Sequence, residues 1–222
     1  MKKKLTHNNH KAWLEQGNKL FDSEHYEKAM ADYDKAIQIK PDYYEAWFNR
    51  GLVLYELGHY QETLASYDKA IQFKPDYYNA WFNRAALLAN EFNHYKKALV
   101  NYDFVIQLKP DSYLAWSYRG RALVELGDYE EALASYDKAI QLEPNYHNAW
   151  FARFKVLYNK LGRRQEAIAG IIEFIELNPE LAKKQAQILS QLPCAKTTPF
   201  WSRIYNIIIC YYIYFFKKRK DK

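Results

Sequence analysis

The sequence has few of the residues from which catalytic and metal sites are usually built. It contains two cysteines, Cys194 and Cys210, among 222 residues, which are too few for a disulfide framework or a cysteine-based zinc site. It contains neither a phosphate-binding glycine loop nor the nucleophile elbow of hydrolases. We therefore expect a protein that is not an enzyme and that binds no cofactor and no metal.

The N-terminal stretch, MKKKLTHNNHKAW, is basic at its start but has no apolar segment after it. A secretory signal needs such a segment, so we expect none here. Together with the low cysteine count, this favours a reducing, cytoplasmic setting.

The body of the chain has no net positive charge. Residues 1–11 and residues 217–222 each carry a formal charge of +4, and subtracting these eight charges from the total of +6 leaves −2 for residues 12–216. A nucleic-acid-binding domain is expected to carry a basic stripe on its folded surface. We therefore expect no nucleic-acid partner, and we interpret the N-terminal basic residues as a solvated tail.

A single sequence motif is repeated along most of the chain. Tryptophan recurs every 34 or 35 residues, at positions 13, 47, 81, 116 and 150. Proline recurs at the same period, at positions 41, 75, 110, 144 and 179. A fixed period of this length is the signature of a repeat architecture in which each copy is one supersecondary unit.

Each copy has the pattern of a helical hairpin. A first helix, A, runs from just before the tryptophan to a glycine such as Gly58, Gly127 or Gly162, which ends helices by taking a positive φ. A second helix, B, follows and ends at the proline. Asp42 and Asp76 come next and are predicted to cap the following A helix, with Glu45 completing a capping box.

In the first four copies a small residue recurs on helix A and a tyrosine recurs on helix B. A small residue follows each of the first four tryptophans by four positions, at Gly17, Gly51, Ala85 and Gly120. Helix B carries a tyrosine at Tyr33, Tyr67, Tyr102 and Tyr136. We predict that helices A and B approach closely at the small residue and that the tyrosine fills the space beside it.

This combination of tryptophan, small residues, an aromatic, alanine and proline resembles the tetratricopeptide repeat (TPR), and the resemblance covers residues 10 to about 180. It implies an all-α fold, a right-handed α-solenoid of about five hairpins whose concave face is built mainly from A helices, with a C-terminal capping helix. The predicted divisions are a basic tail 1–9, repeats 10–43, 44–77, 78–112, 113–146 and 147–181, a capping helix 181–193, and an apolar, then basic extension 194–222.

Two copies depart from the pattern by one extra residue each. In the third copy the extra residue falls near Glu91–Asn93. The fifth copy also has one extra residue and carries Phe154, Ile171 and Phe174 at positions that hold other residues elsewhere. We interpret the fifth copy as a partly degenerate terminal repeat.

An acidic and a basic residue recur sixteen positions apart. The aspartate is on a B helix and the arginine is on the next A helix, in the pairs Asp34–Arg50, Asp68–Arg84, Asp103–Arg119 and Asp137–Arg153. If the chain turns midway between them, the two residues lie side by side at the same height on two antiparallel helices. The spacing predicts four contacts between repeats, and exposed pairs of this kind contribute only about 0.2–1 kcal/mol each.

His25, His59 and His94 occupy one repeat position and so resemble a series of metal ligands. Successive helix pairs place equivalent residues about 10 Å apart, whereas zinc needs ligands about 2 Å from one centre. We interpret the three histidines as turn residues at the start of helix B.

Resemblance to TPR proteins implies that the functional surface is the concave groove. The residues at groove positions that we select as candidates for peptide binding are Asn18, Phe48, Asn49, Tyr55, Phe82, Asn83, Tyr118, Arg121, Phe151 and Tyr158. Amides can hold a peptide backbone while rings cover its side chains. The predicted function is a scaffold that binds a protein or peptide partner, either an extended peptide or a helix.

Two subtypes of TPR groove are only partly matched. Asn18 and Asn49 correspond to two amides of the clamp with which some co-chaperones hold a C-terminal carboxylate, but Leu14, Asn79 and Asn83 replace the cationic clamp residues. An asparagine ladder is also incomplete, because Asn49 and Asn83 fit it and Tyr118 and Ala152 break it.

The C-terminal extension suggests an alternative function. Residues 200–216 form an apolar stretch of 17 residues interrupted by Arg203 and Asn206, and a basic cluster follows. This is near the lower length limit for a membrane span, and a helix packed on the solenoid or an exposed extension would also fit. The alternative is an assembly factor or co-chaperone-like adaptor anchored to a membrane by this segment. Nothing in the sequence sets the oligomeric state.

Overall fold

The structure is a computed structural model that describes residues 9–178. Within this range the chain forms ten α-helices and one π-helical turn, Val156–Lys160, and no strand. The α-helices are α1 (His10–Asp22), α2 (Tyr26–Ile39), α3 (Tyr44–Glu56), α4 (Tyr60–Phe73), α5 (Tyr78–Asn90), α6 (Tyr95–Leu108), α7 (Tyr113–Leu126), α8 (Tyr129–Leu142), α9 (His147–Lys155) and α10 (Arg164–Leu177).

The chain divides into two compact units, residues 1–111 and residues 112–222. In the first unit the described residues form three hairpins, α1–α2, α3–α4 and α5–α6, and each hairpin also packs on the next. In the second unit they form two, α7–α8 and α9–α10, which pack in the same way. The all-α prediction of about five helical hairpins is confirmed.

In three hairpins the glycine of the A helix contacts the tyrosine of its own B helix, in the pairs Gly17–Tyr33, Gly51–Tyr67 and Gly120–Tyr136. A Cβ atom on Gly51 would lie 2.5 Å from Cε1 of Tyr67, and one on Gly17 would lie 2.6 Å from Cε1 of Tyr33. The tyrosine rings are almost fully buried. The predicted close approach of helices A and B is therefore confirmed, and it leaves no room for a side chain at these glycines.

The A helices end as the sequence predicts. Gly58, Gly127 and Gly162 have φ angles of 77°, 89° and 69°, in the left-handed region that glycine enters without steric cost. The next helix begins two residues later in each case, and His59 is its N-cap residue in the second hairpin. His25 and His94 hold the same position, so the interpretation of these histidines as turn residues is confirmed.

The prediction that Asp42 and Asp76 cap the next helix is wrong. The N-cap residues of α3 and α5 are Tyr43 and Tyr77, and neither helix start has a side-chain cap hydrogen bond. The aspartate instead follows proline inside a β-turn, which the Tyr43 amide closes by donating to the Lys40 carbonyl at 3.1 Å. A residue in the middle of that turn lies outside the helix start, so its carboxylate misses the free amides of the first turn.

The extra residue of the third repeat lies in the turn between its helices. Helix α5 ends at Asn90, nine residues after its tryptophan, as α3 ends at Glu56. The additional residue is taken up before α6, where Asn93 has a φ of 53°. Asparagine is one of the few non-glycine residues that enter the left-handed region readily.

The extra residue of the fifth repeat lies inside its A helix. Helix α9 runs directly into the π-helical turn Val156–Lys160, and such turns arise where one residue is added to an α-helix. Gly162 therefore lies twelve residues after Trp150, whereas Gly127 lies eleven after Trp116.

Three of the four predicted aspartate–arginine contacts are present. The Nε atom of arginine donates to the aspartate Oδ1 at 2.8 Å in Asp34–Arg50, 2.7 Å in Asp68–Arg84 and 2.5 Å in Asp137–Arg153. The fourth pair, Asp103–Arg119, combines residues of the two different units and stays a prediction.

Several predicted segments lie outside the described residues. These are residues 1–8 of the basic tail, the capping helix 181–193, and the extension 194–222 with its apolar stretch 200–216. Among residues 9–178, no helix is both long and apolar enough to cross a membrane.

Candidate functional site

The A helices present one face away from their B helices. At 3.6 residues per turn, the positions one, two, five, eight and nine after each tryptophan fall within one arc of about 120° on the helix surface. In α3 the residues on this side are half-buried or exposed except for Phe48, while Gly51 and Leu54 on the other side are buried. We call this face of the A helices in each unit its groove.

An amide cluster joins the first two A helices in the groove of the first unit. Asn49 Nδ2 donates to Asn18 Oδ1 at 2.8 Å, and the Tyr33 hydroxyl donates to the same oxygen at 2.9 Å. Both lone pairs of that oxygen are therefore used. The Asn49 carbonyl oxygen and the Asn18 amide nitrogen have no hydrogen bond to the described residues in this cluster.

Asn83 continues this line on α5. Its Nδ2 donates to the Asn79 backbone carbonyl one turn earlier, at 3.1 Å, and its side chain is half-buried. The neighbouring ring of Phe82 meets Tyr102 edge-on with 5.7 Å between centroids. Asn83 thus lies on the groove face without a hydrogen bond to Asn49, so the two amides are separate polar points.

Phe48 differs from the other candidates because its ring is 8% exposed. It packs against Tyr67 of the same hairpin at 5.7 Å and against Tyr77 of the next turn at 5.2 Å. The ring thus offers little surface to a ligand and supports the groove floor.

Tyr55 lies at the end of the groove next to the turn between helices A and B. Its hydroxyl donates to Glu91 Oε1 at 3.3 Å, and its ring is 5.7 Å from that of Tyr60. Burial and the Glu91 carboxylate raise the pKa of Tyr55. Glu91 and Tyr60 were not among the sequence candidates, although the extra residue in the third repeat marks the turn that carries Glu91.

In the second unit the candidates form ring–cation and ring–ring contacts. The Arg121 guanidinium lies 4.8 Å from the centroid of the Tyr118 ring, within the range of a cation–π interaction. Tyr158 lies in the π-helical turn, stacks on Phe154 at 5.4 Å, and has the Arg164 guanidinium 5.5 Å from its ring.

Phe151 is the last candidate and lies on α9. Its ring is 6.0 Å from that of Phe174 on α10, and it is half-buried. The aromatic side chains of this unit therefore pack on each other and leave partial ring surfaces open on the A-helix face.

The buried tyrosines show how the electrostatic surroundings change between repeats. Burial raises the pKa of Tyr33, Tyr67 and Tyr136, which hold the same repeat position. In Tyr33 the carboxylate of Asp22 raises the pKa further, whereas in Tyr136 the Arg121 guanidinium lowers it.

The site contains hydrogen-bonding amides, aromatic rings and carboxylates, which are groups suited to recognition. Within residues 9–178 there is no group of three or more histidine, cysteine, aspartate or glutamate side chains arranged to hold a metal ion.

Family models match three stretches of the chain. The model described as TPR repeat matches residues 17–58 and 120–160, and the model described as Tetratricopeptide repeat matches residues 44–77. These stretches contain the hairpins in which a glycine receives a tyrosine ring. The chain is a tetratricopeptide repeat protein.

Solved TPR structures share its fold at low sequence identity. MamA from Desulfovibrio magneticus RS-1 superimposes with a TM-score of 0.70 at 20% identity, covering 77% of this chain and 96% of that one. YrrB, described as a TPR protein with an unusual peptide-binding site, gives 0.66 at 20% identity, covering 78% and 89%.

A tetratricopeptide repeat protein from Parabacteroides merdae ATCC 43184 is also similar, with a TM-score of 0.67 at 22% identity, covering 80% of this chain and 71% of that one. No curated protein matches the sequence. The structural neighbours therefore establish the TPR fold alone.

Proposed function

We propose that this TPR protein is a non-catalytic scaffold that binds an extended segment of a partner protein in the grooves of its A helices. The observation that carries the proposal is the line of asparagine amides on α1, α3 and α5, flanked by aromatic rings. An extended peptide has unpaired backbone N–H and C=O groups, which amide side chains satisfy without regard to sequence.

The partial exposure of the rings supports the same function. Phe82 and Tyr55 are half-buried, so each has a packed edge that fixes its position and an open surface that a peptide side chain can cover. Anchoring residues at interfaces are typically aromatic and held in place by their surroundings. The peptide binding that YrrB's description attributes to that protein is consistent with this use of the fold.

The experiment is a binding screen of the full chain against an arrayed library of random dodecapeptides. Peptides that bind are then titrated against the double variant Asn49→Ala, Asn83→Ala. Each lost amide–backbone hydrogen bond costs about 0.5–1.5 kcal/mol, so we expect the double variant to bind about tenfold more weakly.

The matched control is Gln38→Ala, which removes an exposed amide from helix α2, outside the groove. Its peptide affinity should equal that of the unmodified chain, and circular dichroism should show that all variants stay helical. Peptides that bind the double variant as tightly as the unmodified chain would place recognition on another surface, and a library without any binder would contradict the proposal.

A further inference from the structure

The groove of the first unit carries charges of mainly one sign. Its groove positions hold Glu15 and Asp22 on α1 and Glu56 on α3, and the remaining positions hold asparagines and apolar or aromatic residues. Glu45, two residues before Trp47, lies on the same side of α3 as these positions. Lys11 occupies the equivalent position on α1, two residues before Trp13. Among these positions in the described part of the unit, Lys11 is the single cation against four carboxylates.

The carboxylates lie at both ends of the groove. Glu45 is in the first turn of α3 and Glu56 is its last residue, so their Cα atoms are about 16 Å apart along the helix. Glu91 extends the second acidic end, beside Tyr55 and Tyr60. The asparagine line lies between the two acidic ends.

Glu45 has an unused hydrogen-bonding atom. Its Oε2 oxygen is buried and has no hydrogen-bond partner among the residues that the structure describes. Its negative charge acts on the hydroxyls of Tyr43 and Tyr77, whose pKa values burial raises first and this carboxylate raises further. A buried carboxylate oxygen without a donor is costly, so a rotation of the half-buried Glu45 side chain that brings this oxygen to a cationic group of a ligand would be favourable.

Three cations of this unit, Arg50, Arg84 and Lys74, contact groups outside the groove. Arg50 and Arg84 donate to Asp34 and Asp68 and to residues of their own B helices. Lys74 lies 4.6 Å from the Tyr44 ring and donates to its hydroxyl at 3.2 Å. These contacts hold the cations at the repeat interfaces and turns, so they do not neutralise the groove carboxylates.

The groove of the second unit has a different balance of positive and negative side chains, so the two units can be compared within one chain. Arg121 and Glu125 are at its groove positions on α7, and Lys155 and Tyr158 are at those on α9. Burial raises the pKa of the equivalent tyrosines in both units, but the charges beside them differ: Asp22 and Glu56 raise the pKa of Tyr33 and Tyr67 further, whereas Tyr136 has Arg121, which lowers its pKa, as well as Glu125, which raises it. The acidic character therefore belongs to the groove of the first unit.

We propose that the groove of the first unit selects an extended peptide rich in lysine or arginine, with its backbone on the asparagine line and its cationic side chains reaching the two acidic ends. This inference rests on the proposed function and adds the chemistry of the partner. In an extended peptide, successive side chains project to opposite sides, so neighbouring basic residues reach Glu45 at one end and Glu56 and Glu91 at the other.

The experiment compares three ten-residue peptides that differ only at five positions, which hold lysine, glutamine or glutamate. Binding to the full chain is measured by fluorescence anisotropy at low and at high salt. The lysine peptide should bind at least about tenfold more tightly than the glutamate peptide, and high salt should reduce this ratio because exposed charge pairs are screened.

The double variant Glu45→Gln, Glu56→Gln tests the two groove ends. It should weaken lysine-peptide binding about threefold to tenfold and leave glutamine-peptide binding within about twofold. The matched control is Glu27→Gln, Glu173→Gln, which changes the net charge equally at exposed positions on α2 and α10. This control should retain the preference for lysine.

Each other outcome overturns the inference in a distinct way. If the glutamine and glutamate peptides bind as tightly as the lysine peptide and all lose affinity in Asn83→Ala, the groove binds peptides but does not select charge. If the control variant loses as much lysine-peptide binding as the groove variant, the attraction is to net charge and not to this groove. If no peptide binds at all, the proposed function fails together with the inference.

Discussion

At the residue scale, the pairing of a glycine with a tyrosine ring determines how closely the two helices of a hairpin approach. In Gly51→Ala the new methyl group would lie 2.5 Å from the Tyr67 ring, so either this buried ring or one of the two helices has to shift. Overpacking of this kind costs about 1–3 kcal/mol, which exceeds the roughly 1 kcal/mol that alanine gains over glycine in a helix. We expect urea denaturation to give a lower free energy of unfolding.

Ala85 provides the reciprocal test, because the third repeat has alanine where the others have glycine. Ala85→Gly should also destabilise the protein, by about 1 kcal/mol, since it only loses helix propensity. A stabilising effect of Ala85→Gly would mean that the Ala85 methyl group crowds its neighbours by more than the helix propensity that glycine loses.

The buried tyrosines predict a loss of stability at alkaline pH. Burial raises the pKa of Tyr33, Tyr67 and Tyr136 in the folded protein, while an unfolded tyrosine ionises near about pH 10. Their contribution is therefore fully present below about pH 10 and is lost as the pH rises towards the folded-state pKa. Urea denaturation between pH 8 and 11 should show the decline, and the variant Tyr67→Phe, Tyr136→Phe should reduce it.

Other features at this scale were not predictable from the sequence. The recurrence of tryptophan and proline at one period is visible, but the hydrogen bond that joins them is not. The indole N–H of Trp47 donates to the Pro41 carbonyl at 2.8 Å, and Trp81 and Trp150 repeat the contact with their own prolines. The spacing shows which residues recur. Whether the proline carbonyl meets the indole six residues later depends on the backbone geometry of the turn between them.

At the scale of helices, three arginines of the A helices, Arg50, Arg84 and Arg153, each contact two B helices. Arg84 donates to Asp68 of the preceding B helix at 2.7 Å and to the buried Asn101 of its own at 2.9 Å. The sixteen-residue spacing predicted the first contact. It did not predict the second, because the partner position varies between serine and asparagine.

The two halves of this contact should differ in their contribution to stability. Asp68→Asn removes the charge from a mostly exposed pair and should cost no more than about 1 kcal/mol. Arg84→Ala also deprives a buried amide of its partner, and should cost about 1–3 kcal/mol. Denaturant titration of the two variants checks the order, and equal costs would show that the ion pair alone matters.

The π-helical turn suggests an element that tolerates shortening. Deleting Asn159, which is exposed, would return the fifth repeat to the eleven-residue spacing between tryptophan and glycine. Because the turn is taken to absorb one residue, we expect the variant to stay folded, with a change in Tm of only a few degrees. Loss of the helical signal on deletion would show that the turn is required by packing.

The sequence indicated that the third and fifth repeats each hold an additional residue, but not how each is accommodated. The third uses a turn with Asn93 in the left-handed region, and the fifth uses a π-helical turn. Both solutions preserve the helix faces that pack, and the choice depends on local packing that periodicity does not contain. The candidate groove residues named from the sequence stay predictions, while the burial of Phe48 and the contact of Glu91 with Tyr55 required the fold.

At the scale of the whole molecule, the two units should differ in their ability to fold alone. Repeat proteins are stabilised by contacts between neighbouring repeats, and about three repeats are needed for stability. Residues 9–111 contain three hairpins and residues 112–178 contain two. The first fragment should be helical with a cooperative thermal transition, and the second should not. A folded second fragment beside an unfolded first would contradict this expectation.

The position of the glycine–tyrosine contact has a consequence for how such a chain can grow. The glycine and the tyrosine belong to the same hairpin, so a copied segment of 34 residues contains both partners of this contact. The arginine needs only an aspartate on the helix before it, and an identical copy supplies that aspartate as well. Duplication of residues 44–77 would therefore add a hairpin compatible with both of its neighbours, and the array could lengthen by copying alone, without simultaneous changes at two sites.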